Sequence, residues 1–315
     1  MKRRSFIAAA STGIATFTAG ACTKVPVPPE RKKLFSFIHF TDTHMQPTMG
    51  AREGFLLAIE KMNSIKPDFV VSGGDLVTDV LAADEERADM LYNLSLECCK
   101  SFEVPIYHVI GNHEIFGINV PDKVPEDHPE WGKEMFKKRI GEGATYRSFD
   151  HKGVHFLLLD SMGIEKNEDK PGYQYIGEIG REQLTWIEQD LAGLPANTPV
   201  IAVSHIPLLT LVMQIKHGLM WQNPKTHVIT DGIDLYNLIS HYRLFGFLYG
   251  HHHANETYIY KGQKFIETGA ISGGWWGGDH IGHPEGFNWI DVYEDGIETK
   301  YITYGWDASK FTSGV

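Results

Sequence analysis

The chain has few cysteines, no long basic run and no apolar stretch of membrane-spanning length. Its 315 residues include 3 Cys, of which Cys98 and Cys99 are adjacent and would point apart on a helix, so a disulfide framework is excluded. The 40 acidic residues outnumber the 29 basic ones, and the net charge is −11. The chain has no Lys/Arg cluster beyond the extreme N-terminus that could bind nucleic-acid phosphates electrostatically. We therefore expect no nucleic-acid polymer as a partner.

The composition otherwise favours a folded globular protein. Hydrophobic residues make up 42% of the chain and aromatic residues 12%, which is enough to bury a substantial core at this length. No internal repeat, low-complexity segment or linker follows residue 33. We therefore predict a single domain over residues 34–315, although the length would also allow two.

Residues 1–21 read as an export signal peptide. A basic start, Lys2-Arg3-Arg4, precedes a mildly apolar run from Phe6 that ends in small residues at Ala21. This run is shorter than the roughly 20 residues that a membrane-spanning helix needs. The pair Arg3-Arg4, followed after one residue by the apolar pair Phe6-Ile7, resembles a twin-arginine leader, the route of proteins that are exported already folded. The expected location is the periplasm or the cell envelope.

Two kinds of cleavage fit the end of this leader. Ala19-Gly20-Ala21 suits ordinary signal peptidase, whereas the same residues followed by Cys22 resemble a lipoprotein box with Ala19 in place of the usual Leu. The second interpretation, which we favour, puts a lipid on Cys22 and attaches the chain to a membrane. Residues 22–33 would then form an extended, Pro-rich linker.

From residue 34 onward, short apolar runs that end in polar residues alternate with segments of helical periodicity. This alternation is typical of βα units, in which functional residues follow the carboxyl ends of the strands. The spacing from Asp42 to Asp75 and on to Asn112 leaves room each time for a strand, a helix and a parallel strand. Five predicted strands each lead into possible ligands: Phe35–Phe40 into Asp42 and His44, Phe69–Val71 into Asp75, Ile106–Ile110 into Asn112 and His113, Val200–Val203 into His205, and Leu244–Tyr249 into His251 and His253.

Other segments have a less regular pattern. The acidic, proline-bearing stretch 117–145 is interpreted as a surface insertion, and 208–231 as a loop-rich insertion. Short strands broken by Gly-rich turns are predicted from Thr257 to Tyr304, where they would form or complete a second sheet. The glycine-flanked pair Trp275-Trp276 fits a wall of the substrate pocket and a core-facing bend equally well.

The possible ligands define a chemistry if they converge. Two Asp, one Asn and several His offer oxygen and nitrogen ligands without a thiolate, a set that suits Mn, Fe or Zn better than Ca. A central carboxylate such as Asp75 can bridge two cations, and two divalent ions about 3.5–4 Å apart are used for phosphate-ester hydrolysis. Glycines before the ligands, as at Gly74, Gly111 and Gly250, would let the backbone turn and a phosphate come close.

The ordered set of motifs resembles the calcineurin-like metallophosphoesterase family. Asp-x-His, Gly-Asp, Gly-Asn-His-Glu, a lone strand-end His and Gly-His-x-His follow one another from Phe35 to about Thr268. Each motif alone is weakly diagnostic, whereas their order is specific. The resemblance implies a layered α/β fold, an α/β-β/α sandwich with two central mixed sheets flanked by helices.

The resemblance also implies a role for each matched residue. Two divalent or transition metal ions (Mn, Fe or Zn) would share Asp75. A metal-bound hydroxide would be the nucleophile, and His113 would stay off the metals and stabilise or protonate the leaving oxygen. One metal would be held by Asp42, His44, Asp75 and His253, and the other by Asp75, Asn112, His205 and His251.

Three positions depart from the commonest pattern of the family. Thr41 replaces the glycine often found before the first Asp, Asp79 stands one residue farther from Asp75 than usual, and Glu114 stands where Asp is more frequent. None of these changes removes a ligand, but the second leads us to leave Asp79 out of the predicted site. Three histidines within or beside strands are interpreted as core or supporting residues: His39, His108 and His252.

The expected function is metal-dependent hydrolysis of small phosphate esters, either monoesters or diesters. Substrate choice would depend on the pocket wall, including Trp275, Trp276 and the 208–231 insertion. The alternative is a non-catalytic binding scaffold of the same fold, which we would expect to lack ligands or His113. A one-metal enzyme of another class would leave several of the predicted ligands without a role.

Overall fold

The computed structural model describes residues 31–312, and the described chain from Lys32 onward belongs to one compact unit. The predicted signal peptide, Cys22 and most of the predicted linker lie outside the described residues. Within residues 31–312, no helix combines the length and the apolar character that crossing a membrane requires.

Strands and helices alternate along the first half of the chain, and strands dominate its end. The strands are β1 (Lys33–Phe40), β2 (Val70–Ser72), β3 (Ile106–His108), β4 (Arg147–His151), β5 (Val154–Leu158), β6 (Met162–Lys166), β7 (Tyr173–Gly177), β8 (Pro199–Val203), β9 (Arg243–Tyr249), β10 (Glu256–Tyr260), β11 (Gln263–Glu267), β12 (Gly286–Tyr293) and β13 (Gly296–Thr303). The helices are α1 (Ala51–Ser64), α2 (Glu85–Cys99), α3 (Glu134–Arg139), α4 (Arg181–Ala192), α5 (Val212–His217), α6 (Gly232–Ile239) and α7 (Ser309–Thr312), with 3₁₀ turns at Val80–Ala82 and Asn112–Glu114.

Two mixed sheets occupy the centre of the fold. The first has the order β13-β12-β1-β2-β3, in which β1, β2 and β3 are parallel and β12 runs antiparallel to β1. The second has the order β10-β11-β9-β8-β5-β4, in which β5, β8, β9 and β11 are parallel. A separate hairpin pairs β6 with β7. The carboxyl ends of β1, β2 and β3 therefore lie side by side, as the spacing of their ligands predicts.

Alternate side chains of each strand point to opposite faces of its sheet, and one face of each sheet packs against the other sheet. Phe37 and Val71 of the first sheet share a buried cluster with Phe156 and Val203 of the second, and the ring centroids of Phe37 and Phe156 lie 5.3 Å apart. The other faces pack against helices, as α1 does through Phe55. The predicted layered α/β fold with two mixed sheets flanked by helices is confirmed.

The strands at the end of the chain divide between the two sheets. β10 and β11 extend the second sheet, whereas β12 and β13 join the first sheet beside β1. The prediction of a second sheet from Thr257 to Tyr304 is therefore right for β10 and β11 and wrong for the last two strands. Ile290 and Val292 of β12 belong to the buried cluster between the sheets. The antiparallel pairing of β12 with β1 places these two side chains there.

The stretch 117–145 is not confined to the surface, contrary to its interpretation from sequence. Val124, Met135 and Phe136 are buried in the main core, the last two within α3. Glu130 is buried as well, and its carboxylate accepts hydrogen bonds from Lys138 and Arg139. The interpretation as a surface insertion depended on the acidic, proline-bearing start of this stretch and did not weigh the apolar residues that follow it.

Candidate metal centre

The segments that follow the central strands converge on one buried cluster. The Asp42 N–H donates to the Gly74 carbonyl at 3.0 Å, and the His44 N–H donates to the Asp75 carbonyl at 2.9 Å. These bonds lock the segment after β1 to the segment after β2. The segments after β3, β8 and β9 reach the same place, and together they assemble all seven predicted ligands: Asp42, His44, Asp75, Asn112, His205, His251 and His253.

Most of these residues have an unusual backbone conformation. Positive φ angles between 45° and 81° occur at five of the seven: Asp42, His44, Asp75, His251 and His253. This left-handed region costs a non-glycine residue about 1–3 kcal/mol and persists where the surrounding structure imposes it. Concentrated strain of this kind is typical of functional sites, and here it turns successive side chains toward one point.

One group of ligand atoms consists of Asp42, His44 and His253. The Nε2 atoms of the two histidines lie 2.9 Å apart, and Asp42 Oδ1 lies 3.7 Å from His44 Nε2 and 3.4 Å from His253 Nε2. All three side chains are buried. A carboxylate and two imidazoles that converge in this way can hold one cation.

The second group consists of Asp75, Asn112, His205 and His251. His205 Nε2 is central, because it lies 3.1 Å from Asp75 Oδ2, 3.2 Å from Asn112 Oδ1 and 3.3 Å from His251 Nδ1. Asp75 Oδ2 also lies 3.8 Å from His44 Nε2 of the first group. Asp75 therefore stands between the two groups, where a bridging carboxylate would be.

The hydrogen bonds around the cluster leave its inner atoms free for a metal. His205 Nδ1 lies 2.9 Å from the Gly73 carbonyl, and His253 Nδ1 contacts the Gly273 carbonyl, so each ring donates outward and turns an Nε2 lone pair inward. Asp42 Oδ1 is buried and accepts no hydrogen bond. Leaving a buried carboxylate oxygen without a partner is costly, and a cation at this position removes the cost. The donor set fits divalent metals.

The charges of the cluster are strongly coupled. Burial raises the pKa of Asp42, but the nearby His253 and His205 lower it more, and the pKa lies well below its usual value. Burial lowers the pKa of His205, yet Asp75 and Asp42 raise it to about 10. In contrast, burial lowers the pKa of His44 to about 4. The carboxylates thus draw positive charge into the cluster, either as a proton on His205 or as a cation that takes its place.

His113 lies beside the cluster with a defined orientation. Its backbone N–H donates to Asp75 Oδ1 at 2.9 Å, and its ring Nδ1 accepts the Asp79 N–H at 3.0 Å. Because Nδ1 accepts, the neutral ring carries its proton on Nε2, which lies 3.9 Å from Asp75 Oδ2. Asp79, which was left out of the predicted site, therefore fixes the tautomer of His113 through its main chain.

Two departures from the family pattern acquire a structural role. Thr41 Oγ1 donates to Asp42 Oδ2 at 2.8 Å, which holds one carboxylate oxygen and leaves the other free. The buried Glu114 carboxylate accepts the N–H groups of Asp75 at 2.9 Å, Gly111 at 2.7 Å and Val77 at 3.1 Å. Glu114 thus fixes the loop that carries Asp75. Sequence reasoning recorded both positions only as departures: the partner of Thr41 is its neighbour Asp42, whereas Asp75 and Val77, which Glu114 also binds, are distant in the chain.

The glycines before the ligands make room for other protein atoms. A Cβ at Gly111 would lie 2.2 Å from Asp75 Oδ1, and a Cβ at Gly250 would lie 2.4 Å from Asp42 Oδ2. The space at these two positions is therefore filled by the carboxylates of Asp75 and Asp42, whereas the sequence interpretation assigned it to an approaching phosphate. The other expected reason, a sharp turn, holds at Gly74, where φ is 100°.

Glu114→Ala is expected to lower the free energy of unfolding by about 3 kcal/mol, because three buried N–H groups lose their acceptor. Metal affinity should also fall by about 10–100-fold, since the loop that carries Asp75 is no longer fixed. Thermal or denaturant unfolding and metal titration measure the two effects. Glu60→Ala, at an exposed position of α1, is the matched control. Equal stability of the two variants would show that Glu114 does not hold this loop.

The predicted ligands lie within a stretch of sequence that is typical of a known protein family. The sequence model described as Calcineurin-like phosphoesterase matches residues 35–255, more than half of the chain. The chain belongs to the calcineurin-like phosphoesterase family.

Relatives and solved structures are similar to this calcineurin-like phosphoesterase at low identity. It is 26% identical over 218 residues to the serine/threonine-protein phosphatase CPPED1 of Bos taurus. The matched region covers 68% of this chain and 62% of CPPED1, so the chain spans less than two thirds of the length of that relative. It is 21% identical over 285 residues to the 3′,5′-cyclic-nucleotide phosphodiesterase alr5338 of Nostoc sp., covering 85% and 91%. A dimetal phosphatase from Danio rerio shares the fold, with a TM-score of 0.62 at 14% identity over 87% of this chain and 97% of that chain.

A cavity of about 230 Å³ opens onto the candidate metal centre. Trp275 is 45% exposed and forms one wall, with its ring centroid 4.4 Å from that of His253. Trp276 is buried, and its Nε1–H donates to the His44 carbonyl at 3.2 Å. Trp275 therefore fits the interpretation as a pocket wall, and Trp276 fits the interpretation as a core-facing residue. Other residues that line the cavity are Tyr175, Met213, Lys216, His227 and His280.

Proposed function

We propose that the protein hydrolyses small phosphate esters at a dinuclear metal centre. The observation that carries this proposal is the pair of buried donor groups that meet at Asp75 and face a cavity open to solvent. A single metal would leave one group unused. A phosphate ester brings negative charge, which two cations and the surrounding histidines can accommodate.

The ligand assignment follows the two groups. Asp42, His44, Asp75 and His253 would hold one metal, and Asp75, Asn112, His205 and His251 the other. Metals bound there would activate water as the nucleophile and neutralise charge on the phosphoryl oxygens. The protein's own contribution is to keep the imidazole lone pairs inward, through the Gly73 and Gly273 carbonyls, and to keep Asp42 Oδ1 free.

His113 is the proposed proton donor. Its ring stands at the cavity wall, 18% exposed, with the Nε2 proton on the side of the metal centre. A leaving alkoxide develops negative charge as the ester bond breaks, and the Nε2–H of His113 can stabilise or protonate that oxygen. The Asp79 N–H holds the ring so that Nδ1 is already occupied.

The non-catalytic scaffold remains the alternative, and one experiment separates it from the proposed enzyme. Metal content of the purified protein and turnover of nitrophenyl phosphate and bis-nitrophenyl phosphate are measured with Mn or Zn supplied. We expect two metals per chain and turnover of at least one ester, and the ratio of the two rates gives the monoester or diester preference. Binding of fewer than two metals at saturation, or turnover of neither ester, would contradict the proposal.

Trp275→Ala is expected to raise KM for nitrophenyl phosphate by about tenfold with little change in kcat. The indole forms a half-exposed wall of the cavity, against which an aromatic leaving group can pack. Trp221→Ala is the matched control, because Trp221 is 44% exposed and does not line this cavity. A change in kcat alone would mean that Trp275 acts on the metal ligands and not on the substrate.

We also propose that the protein is exported and carries a lipid on Cys22, on the strength of the sequence Ala19-Gly20-Ala21-Cys22. Growth with a labelled fatty acid tests this directly. Label on the wild-type protein but not on Cys22→Ser would support lipidation. Label on neither would favour cleavage by ordinary signal peptidase and a protein without an anchor.

A further inference from the structure

One part of the surface beside the cavity is unusually apolar. Six of the fourteen large apolar side chains exposed by residues 31–312 fall between positions 209 and 221, which we call the apolar segment. Three of them are consecutive at its tip, where Leu219 is 85%, Met220 97% and Trp221 44% exposed. Single exposed apolar side chains are common, whereas a contiguous group marks a surface that binds something.

The tip of the apolar segment is held in place by its own hydrogen bonds. The Gly218 N–H donates to the Gln214 carbonyl at 2.9 Å, and the Gln214 side-chain amide donates to the Trp221 carbonyl at 3.0 Å. The rings of His217 and Trp221 lie 4.5 Å apart. These contacts close the chain into a turn that presents Leu219 and Met220 outward.

The apolar segment and the residues that flank it carry lysines but no carboxylates, unlike the chain as a whole. Residues 208–230 contain Lys216 and Lys225 and no acidic residue, although the chain has 40 of them. The charge of Lys225 is offset by Glu165, whose carboxylate lies 3.2 Å from Lys225 Nζ. Lys216 is the lysine closest in sequence to the tip. An apolar tip with Trp and a basic residue, free of carboxylates, is the combination that favours the interface of an anionic bilayer.

We propose that the apolar segment docks the protein on a lipid bilayer with anionic headgroups. Leu219, Met220 and Trp221 enter the interface, and Lys216 lies at the level of the headgroups. Met213 and Lys216 of α5 also line the cavity, so docking holds the cavity mouth at the lipid surface. This surface is separate from the metal ligands, and the proposal does not depend on the phosphoesterase reaction.

The test places an environment-sensitive nitrobenzoxadiazole probe on the tip of the full chain. Met220→Cys is labelled in a Cys22→Ser background, where the other thiols, Cys98 and Cys99, are buried. The control carries the probe at Glu60→Cys on α1. With vesicles of phosphatidylcholine containing 30% phosphatidylglycerol, we expect at least a twofold rise and a blue shift in emission at position 220 and no change at position 60. The rise should weaken in high salt.

The position of the probe separates docking by the tip from attachment by other parts of the chain. If the protein sediments with vesicles while the emission at position 220 stays constant, the proposal is wrong. An equal response to neutral and anionic vesicles would refute the role given to charge. A rise without vesicles that grows with protein concentration would instead identify a second copy of the chain as the occupant. Turnover of nitrophenyl phosphate in solution, measured separately, reports on the proposed function alone.

Discussion

Asp75→Asn should reduce phosphoesterase turnover by about 10³-fold or more, the largest effect expected of any single change in this chain. Asp75 Oδ2 lies 3.1 Å from His205 Nε2 and 3.8 Å from His44 Nε2, so it faces both donor groups. An amide there removes a charge and presents an N–H₂ or a single neutral oxygen to two cations. Several kcal/mol of charge stabilisation correspond to about this factor in rate.

The metal content of Asp75→Asn distinguishes a carboxylate that bridges two metals from one that binds a single metal. If Asp75 bridges, both metals are weakened together, and calorimetric titration should show that the two sites lose affinity in parallel. Loss of one metal with the other retained would assign Asp75 to a single group. Asp127→Asn, at an exposed position, is the control for loss of one carboxylate and should retain both metals and full turnover.

The convergence of the ligands was predictable because it follows from the topology of parallel strands. Carboxyl ends of neighbouring parallel strands meet at one edge, so Asp42, Asp75 and Asn112 had to lie close together once β1, β2 and β3 were recognised. His205 and His251 follow strands of the other sheet. Their approach to Asp75 depends on how the two sheets pack, which the order of the motifs indicated only through the family resemblance.

The local geometry of the centre was not predictable from sequence. Positive φ angles, as at Asp42, His44 and His253, are uncommon for non-glycine residues, and the surrounding tertiary contacts impose them. Glu114 binds N–H groups at Asp75 and Val77, far away in the chain. No local pattern reports such partners, because capping and turn rules describe neighbours in sequence.

Exposure along the chain was equally hard to infer from composition. The stretch 117–145 looked like a surface insertion and places Phe136 in the core, whereas the more apolar segment around Leu219 and Met220 is exposed. Burial depends on what packs against a residue and not on its hydrophobicity alone. The exposed apolar tip is the mismatch that led to the bilayer proposal.

His113→Ala is the second change with a large expected effect, about 10²–10³-fold in kcat with both metals retained. The ring stands beside the metal centre and is held by the Asp79 N–H, but its Nε2 is 3.9 Å from Asp75 Oδ2 and belongs to neither proposed ligand set. Metal analysis and steady-state rates are measured on the same preparation. His241→Ala, at an exposed position, is the matched control.

The leaving group decides which role His113 has. A nitrophenolate leaves readily without a proton, whereas an alkoxide requires one, so a proton donor matters more for an alkyl phosphate. We therefore expect His113→Ala to slow alkyl phosphate hydrolysis at least about tenfold more than nitrophenyl phosphate hydrolysis. An equal loss on both esters would mean that the ring only stabilises charge. Loss of metal in the variant would instead make His113 a ligand, because its ring also lies within reach of His44 and Asp75.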